Sequence, residues 1–234
     1  RHRDWDIGRN AKHLLHDRRP DQHVLDHAGI DAGAFDGRGH RMAAGLSLSR
    51  DQLAPAMKRL GALIAELGVR QEIVTGHDFR GYSASIKYAL ISGLMAAGCK
   101  VHDIGLCMSP MAYFGQFELD APCVAMVTAS HNENGWTGVK MGANPPLTFG
   151  PDEIGRLKEI VLNGQGVERE GGKLVRVEDF RERYIADVAA KVKVSRPLKV
   201  VAACGNGTAG AFAPDALRRM GVEVIEMDTE LDFT

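Results

Sequence analysis

With 234 residues, 44% of them apolar and 25% charged, the chain is long enough to bury a sizeable core, and its composition excludes wholesale disorder. Basic side chains (29) nearly balance acidic ones (30), leaving a formal charge of −1; that excludes a polybasic footprint for nucleic acid or an anionic membrane. Any anion the protein binds must be held locally. The longest mostly apolar stretch, Tyr88 to Cys99, is interrupted by Ser92, Gly93 and Gly98. It falls short of the roughly 20 residues that span a bilayer and reads as a buried core helix. No charged and then apolar leader opens the chain, and Cys99, Cys107, Cys123 and Cys204 lie in apolar surroundings without a CxxC pair. The expectation is a cytoplasmic protein with reduced, packed thiols, a small-molecule ligand, and neither nucleic acid nor membrane as partner.

The first stretch, residues 1–33, alternates Arg, Asp and His and holds five of the nine histidines. His13 with His16, and His23 with His27, have spacings that put imidazoles on one helical face. Without a cysteine or paired carboxylates to complete a site, the segment reads as a solvated, poorly ordered arm. From Leu46 the pattern changes. Ser49 and Gln52 have capping-box spacing, and Leu53, Met57, Leu60, Leu63, Ile64 and Leu67 recur at helical intervals up to the stop at Gly68. Glu72 to Thr75 is a β-prone run, Gly76 to Tyr82 a loop, and Ser83 to Ala97 a second helix ended by Gly98. A strand at Val101 to Ile104, a helix near Pro110 to Phe117 and a strand at Cys123 to Val127 follow.

Alternation of this kind calls for a mostly parallel sheet covered by helices. Ligand sites in such sheets gather at the carboxyl ends of the strands, so the loops Gly76 to Tyr82, Gly105 to Pro110 and Thr128 to Gly142 are expected on one edge. A helix starts at Pro151, and the Gly-rich, charged segment Asn163 to Lys173 is the best linker. Beyond it, Val177 to Val194 reads as a helix, Leu198 to Ala203 as a strand, Thr208 to Met220 as a helix and Val222 to Met227 as a strand. The expected fold is α/β, with a mixed, mainly parallel sheet sandwiched by helices in residues 34–165 and the start of a second, similar domain in 174–234. A first residue that is not Met, and a last strand without a closing element, suggest a piece of a longer protein.

Chemistry concentrates in Val124 to Gly142, VAMVTASHNENGWTGVKMG. An apolar strand runs into a loop bearing Thr128, Ser130, His131, Asn132, Asn134 and Gly135. A serine leaving a strand end beside a histidine and several amides is placed like an activated nucleophile, and Lys140 can return its charge to the same edge. By spacing alone the segment also reads as a polar hairpin with Ser130 as a turn residue.

Thr128-Ala129-Ser130-His131-Asn132 resembles the TASHN phosphoserine loop of the phosphohexomutases, the family of phosphoglucomutase and phosphomannomutase. Gly138-Val139-Lys140 resembles that family's Gly-x-Lys, Gly76-His77-Asp78-Phe79-Arg80 its G-R-D-x-R turn, and Met108-Ser109-Pro110 stands where the family has T-P. The resemblance covers about Phe35 to Thr234. It implies that Ser130 carries a phosphoryl group, donates it to a hexose monophosphate to give a 1,6-bisphosphate, and recovers a phosphate from the other end. The net reaction interconverts hexose 1-phosphate and hexose 6-phosphate of mannose or glucose. Lys140 then neutralises charge or assists proton transfer, His131 and Asn132 orient the loop, with Asn132 and Arg80 also as substrate-binding candidates, and a hexose 1,6-bisphosphate serves as activator. The family's early arginine turn, Y-D-I-R-G, finds its preferred match in Phe35-Asp36-Gly37-Arg38-Gly39, making Arg38 the catalytic candidate, with Arg3-Asp4-Trp5-Asp6 as a rival.

The resemblance also implies Mg²⁺ on the Ser130 phosphate, which is about doubly negative near neutral pH. The three aspartates of the family's D-G-D-G-D-R loop have no counterpart after Leu198, so the chain is expected to supply only Ser130 to that metal and to turn over weakly by itself. Gly205-Asn206-Gly207-Thr208-Ala209-Gly210 has the layout of a dinucleotide fingerprint, trailed by Glu226 and Asp228. It supports the alternative of an NAD-binding dehydrogenase, although the same residues resemble the G-N-G-x-x-G turn opening the mutases' second domain. A non-catalytic sugar-phosphate binding module is the third reading.

Overall fold

The computed structural model describes residues 50–132, 135–146, 148–192 and 194–232. The arm at 1–33, the turn bearing Arg38, its rival at Arg3 and the Ser49 cap lie outside the described residues. In chain order the elements are α1 (Arg50–Glu66), β1 (Glu72–His77), α2 (Ser83–Ala96), β2 (Lys100–Leu106), α3 (Ser109–Glu118), β3 (Cys123–Val127), β4 (Val139–Ala143), α4 (Pro151–Leu162), β5 (Lys173–Arg176), α5 (Phe180–Ala190), β6 (Lys199–Ala203), a 3₁₀ turn (Thr208–Ala211), α6 (Ala213–Arg219) and β7 (Glu223–Met227).

The first five strands form one sheet in the order β4-β3-β1-β2-β5. All neighbours are parallel except β3 and β4. Period-two alternation sends successive side chains to opposite faces. Cys123, Ala125 and Val127 accordingly join Leu60, Leu63, Leu90, Leu94 and Leu157 in one core against α1, α2 and α4. Val124 and Met126 join Met111, Ala112, Phe180 and Ile185 in a second core under α3 and α5. With both faces covered, all five residues of β3 are buried, the condition under which a strand reads as a continuous apolar run.

The sheet differs from the sequence reading at its two edges. Val139–Ala143, read as part of a loop, is an edge strand antiparallel to β3; VKMGA carries too short an apolar signal to announce itself and becomes a strand by pairing. Lys173–Arg176, with Lys173 read as the end of the linker and 174–176 as the start of the second domain, pairs with β2 and completes the other edge of this first sheet. The helix read from Val177 is correspondingly shorter, Phe180–Ala190.

β6 and β7 form a separate parallel pair. The expected single helix from Thr208 is broken into the 3₁₀ turn and α6, with Pro214 in the first turn of α6. Phe212, at that break, is buried in the second core of the first sheet. Arg181 on α5 donates to the Ala211 carbonyl and pairs with Asp215 at 3.2 Å, and Arg219 pairs with Glu182. The cysteines are free thiols, with Cys99, Cys107 and Cys123 buried. Among the described residues no helix is long and apolar enough to cross a membrane.

Candidate active site

Because β1, β2 and β3 are parallel, their carboxyl ends, at His77, Leu106 and Val127, share one edge. The loops that follow are stitched together there. Asp78 N–H donates to the Val127 carbonyl at 3.0 Å, and Cys107 N–H to the His77 carbonyl at 2.9 Å.

The segment after β3 is ordered one backbone group at a time. Thr128 N–H donates to the Gly138 carbonyl (3.0 Å), the last rung of the β3–β4 ladder. Ala129 N–H donates to the Asp78 carboxylate (3.2 Å) and Ser130 N–H to the Thr128 hydroxyl (3.0 Å). Asn132 N–H closes a turn onto the Ala129 carbonyl (3.1 Å). The carbonyls of Ser130 and Asn132 accept from the Arg80 guanidinium at 3.4 and 2.8 Å. Ser130 itself stands at φ 58°, a left-handed conformation costing a non-glycine residue of order 1–3 kcal/mol unless its surroundings impose it. Here they do. The Ser130 side chain is left exposed, with its Oγ 3.2 Å from His131 Nδ1.

Asp78 is the hub of this construction. It is 3% exposed, and its two oxygens accept from Ser83 Oγ (2.6 Å), Arg80 N–H (3.3 Å), the Arg80 guanidinium (2.5 Å) and Ala129 N–H (3.2 Å). Arg80 thus bridges the Asp78 carboxylate to the Ser130 loop. Downstream, Tyr82 Oη donates to the Trp136 carbonyl (2.6 Å) and accepts from Gly135 N–H (3.1 Å). Lys140, opposite Met126 on β4, reaches to Ser109 Oγ at 2.8 Å, at the first residue of α3.

The structure therefore brings Ser130, His131, Asn132 and Arg80 into one hydrogen-bonded loop and sets Lys140 on the same edge, tied to Ser109. Asp78 and Ser109, which stand inside matched motifs without a candidate role in the site, and Tyr82, which stands in none, are site-building residues. Asp78 had a signal, an acid two residues before Arg80 and five before Ser83. The contacts of Ser109 and Tyr82 arise only from the fold.

A cavity of about 470 Å³ opens beside this site, between the first sheet and the second unit, lined by His77, Lys87, Asp103, Gly105, Arg181 and Phe212 among others. Lys87 and Asp103 form an ion pair there at 2.6 and 2.7 Å, with side chains only 3% and 6% exposed. Burial holds His77 below the ordinary imidazole range, helped by the Lys87 charge and opposed by its bond to the Asp78 carbonyl.

The described residues do not assemble a Mg²⁺ site. No group of three or more His, Cys, Asp or Glu could hold a metal among them. The carboxylate bonded to the Ser130 loop, Asp78, has both oxygens committed to Ser83, Arg80 and Ala129. The glycine turn at 205–210 does not open an α-helix either. It runs into the 3₁₀ turn, the Thr208 hydroxyl accepts from Phe79 N–H at 3.3 Å, and a Cβ at Gly210 would collide with the Thr229 backbone. The turn serves close packing, and nothing in this geometry supports the dinucleotide-binding alternative.

The family described as phosphoglucomutase/phosphomannomutase, alpha/beta/alpha domain I, matches residues 32–167. A probable phosphoglucosamine mutase of Methanothermobacter thermautotrophicus is 31% identical over 175 residues, covering 73% of this chain and 38% of that protein. A phosphomannomutase/phosphoglucomutase of Pseudomonas putida is 32% identical over 161 residues, covering 69% and 34%. The crystal structure of a phosphoglucomutase/phosphomannomutase family protein from Burkholderia thailandensis superposes with a TM-score of 0.73 at 25% identity, over 82% of this chain and 44% of that one. The chain spans less than two fifths of the length of each of these two relatives. Its match to the first-domain family over more than half its length, with the same fold and the Ser130 loop at the sheet's carboxyl edge, makes the chain a member of the phosphoglucomutase/phosphomannomutase family.

Proposed function

We propose that the chain carries the phosphoryl-transferring serine of a phosphohexomutase, which interconverts the 1-phosphate and 6-phosphate of a hexose such as mannose or glucose, or of glucosamine. The observation that carries this reading is Ser130, exposed at the tip of a loop whose neighbouring backbone groups are fixed by hydrogen bonds. Phosphoryl transfer asks mainly for in-line positioning and charge stabilisation, which a rigid loop with a free oxygen at its tip supplies.

In the forward step the free hydroxyl of the hexose monophosphate attacks phosphorus on phospho-Ser130. A new sugar O–P bond forms as the Ser130 Oγ–P bond breaks. Lys140 is the candidate to neutralise charge on the transferring phosphoryl group or to assist the loss of the hydroxyl proton, and His131, 3.2 Å from Ser130 Oγ, is the candidate to return a proton to the departing Ser130 oxygen. The bisphosphate turns around, and the reverse step from its other end restores phospho-Ser130. Arg38 is a further catalytic candidate, and Asn132 and Arg80 are the candidates for binding the substrate. Arg80 also acts through the loop carbonyls it holds. Residues 1–33 form the arm; the phosphoserine domain begins at about residue 34 and, with β5 and α5 packed on its sheet, runs beyond the expected boundary at 165, the next domain begins with β6, and the protein works in the cytoplasm on sugar phosphates.

The test is intact-mass and phosphopeptide analysis before and after incubation with hexose 1,6-bisphosphate and Mg²⁺. One added phosphate on Ser130, lost in Ser130→Ala, is the expected result. An unmodified Ser130 after that incubation would overturn the reading. Turnover of hexose 1-phosphate by residues 1–234 alone is expected to be feeble.

A further inference from the structure

Ser130 is held from outside its own loop. Between Thr128 and Asn132 the chain makes one local turn and two side-chain bonds; the Gly138 carbonyl holds Thr128 N–H where the loop leaves β3, and among the described residues the hydrogen bonds that flank Ser130 from elsewhere in the chain come from Asp78 and Arg80, in the segment after β1. That segment meets the loop through a single carboxylate and its arginine. Four donors converge on Asp78: the Ser83 hydroxyl, two groups of Arg80 and the Ala129 amide. An ionised carboxylate is the side chain that accepts throughout and donates nothing. Bonds to a charged acceptor are also the stronger kind. Ala129, the residue immediately before the serine, is thereby pinned at its amide, while Arg80 pins the Ser130 and Asn132 carbonyls after it. The left-handed Ser130 conformation is clamped on both sides from one buried acid.

We infer that Asp78 is a positioning residue for phosphoryl transfer at Ser130. It touches neither the phosphoryl group nor the sugar, and it sets the direction in which the Ser130 oxygen points by fixing Ala129 directly and Ser130 and Asn132 through Arg80. The inference rests on the proposed function of Ser130. It assigns to Asp78 a share of rate rather than of substrate affinity, because a misplacement of about 1 Å at a reacting atom can cost about a hundredfold. The bonding pattern also predicts a graded series. Asp78→Ala removes all four acceptances and leaves Arg80 without its partner. Asp78→Asn keeps an oxygen toward Ala129 and the guanidinium, because the Ser83 hydroxyl can reverse and accept from the new amide. It loses the charge and opposes one donor, Arg80 N–H. Ser83→Ala leaves the loop-facing oxygen untouched.

The experiment measures the rate of Ser130 phosphorylation of the whole 234-residue chain over a range of hexose 1,6-bisphosphate concentrations with Mg²⁺, normalised to folded protein, alongside amide exchange of residues 128–132. The expected maximal rates fall about a hundredfold for Asp78→Ala, about tenfold for Asp78→Asn and less than threefold for Ser83→Ala, with half-saturating concentrations unchanged within about twofold. Exchange of the 128–132 amides rises in the same order while the amides of β4 stay protected. The partial recovery from Ala to Asn distinguishes positioning from mere support of the fold, which would alter the amount of folded protein and leave its rate unchanged. Should Asp78→Ala not fold, Asp78→Asn still decides. Wild-type loading with an unchanged maximal rate in Asp78→Asn overturns the inference alone. No loading of the wild type overturns the functional reading and the positioning role with it.

Discussion

The first sheet and the β6–β7 pair are built from the same local grammar, an apolar strand, a glycine turn and a helix, yet they end in opposite environments. Every residue of β3 is buried, whereas none of β7 is. Val201, Ile225 and Met227 of the second pair are 54%, 44% and 51% exposed. The strand conformation of β3 and β7 is thus the same while their burial differs, since burial depends on how many layers lie against the strand. The same contrast separates the charges. Lys87 and Asp103 meet inside the first unit, while Arg218 and Glu226, across α6 and β7, meet on the surface.

The largest expected effect exploits that contrast. Lys87→Met strands Asp103 among buried groups with, among the described residues, only the Gly105 amide still donating to it, a loss of about 3–5 kcal/mol in unfolding free energy. Arg218→Ala breaks an exposed pair and is expected to leave the urea midpoint unmoved. Equal shifts in the two variants would erase the distinction drawn between the units. Next in size is Gly61→Val. Gly61 on α1 faces Ala97 so closely that a Cβ would collide with its methyl, and overpacking of this kind costs about 1–3 kcal/mol. A thermal melt of the variant at or above the wild-type midpoint would show that the α1–α2 contact is loose.

These comparisons also show what was legible in the sequence. Elements with strong periodicity, such as α1 and α2, and strands buried on both faces, such as β3, could be read locally. The edge strands β4 and β5 could not. Lys173–Arg176 has four residues, none of them buried, and owes its conformation to the ladder with β2. In the site, the Thr128–Asn132 motif located the loop and its reactive serine. The bonds that shape the loop join residues about fifty positions apart, as Asp78 with Ala129 and Arg80 with Asn132. A linear pattern carries the residue types of such a constellation and not its distances.

Acid sharpens the comparison further, since all nine histidines precede residue 132 and the second unit has none. His77 is held below its ordinary value chiefly by burial. Below about pH 6.5 the unfolded chain therefore binds a proton that the folded chain resists, and stability falls as pH falls from there through the lowered folded value. His77→Gln is expected to flatten this part of the stability profile, measured by urea unfolding between about pH 7.5 and 5.5. An unaltered slope would mean that His77 does not contribute to it.

The smallest effect is read from the thiols, and it involves no change in stability. Burial pushes Cys107 and Cys123 up to about 12 and Cys99 up to about 11. At pH 8 their thiolate fractions are on the order of a thousandth or less, and their sulfurs are packed out of reach of reagents. Cys204, at the end of β6, is only partly buried, although its thiol is also raised by desolvation and by the nearby Glu226 carboxylate. Access rather than acidity then sets the order. A disulfide reagent added to the native protein should give one fast phase, absent in Cys204→Ser, and three further equivalents only on unfolding. A fast second equivalent, traced by peptide mapping to Cys99 or Cys123, would show that the first unit opens as readily as the exposed pair beside it.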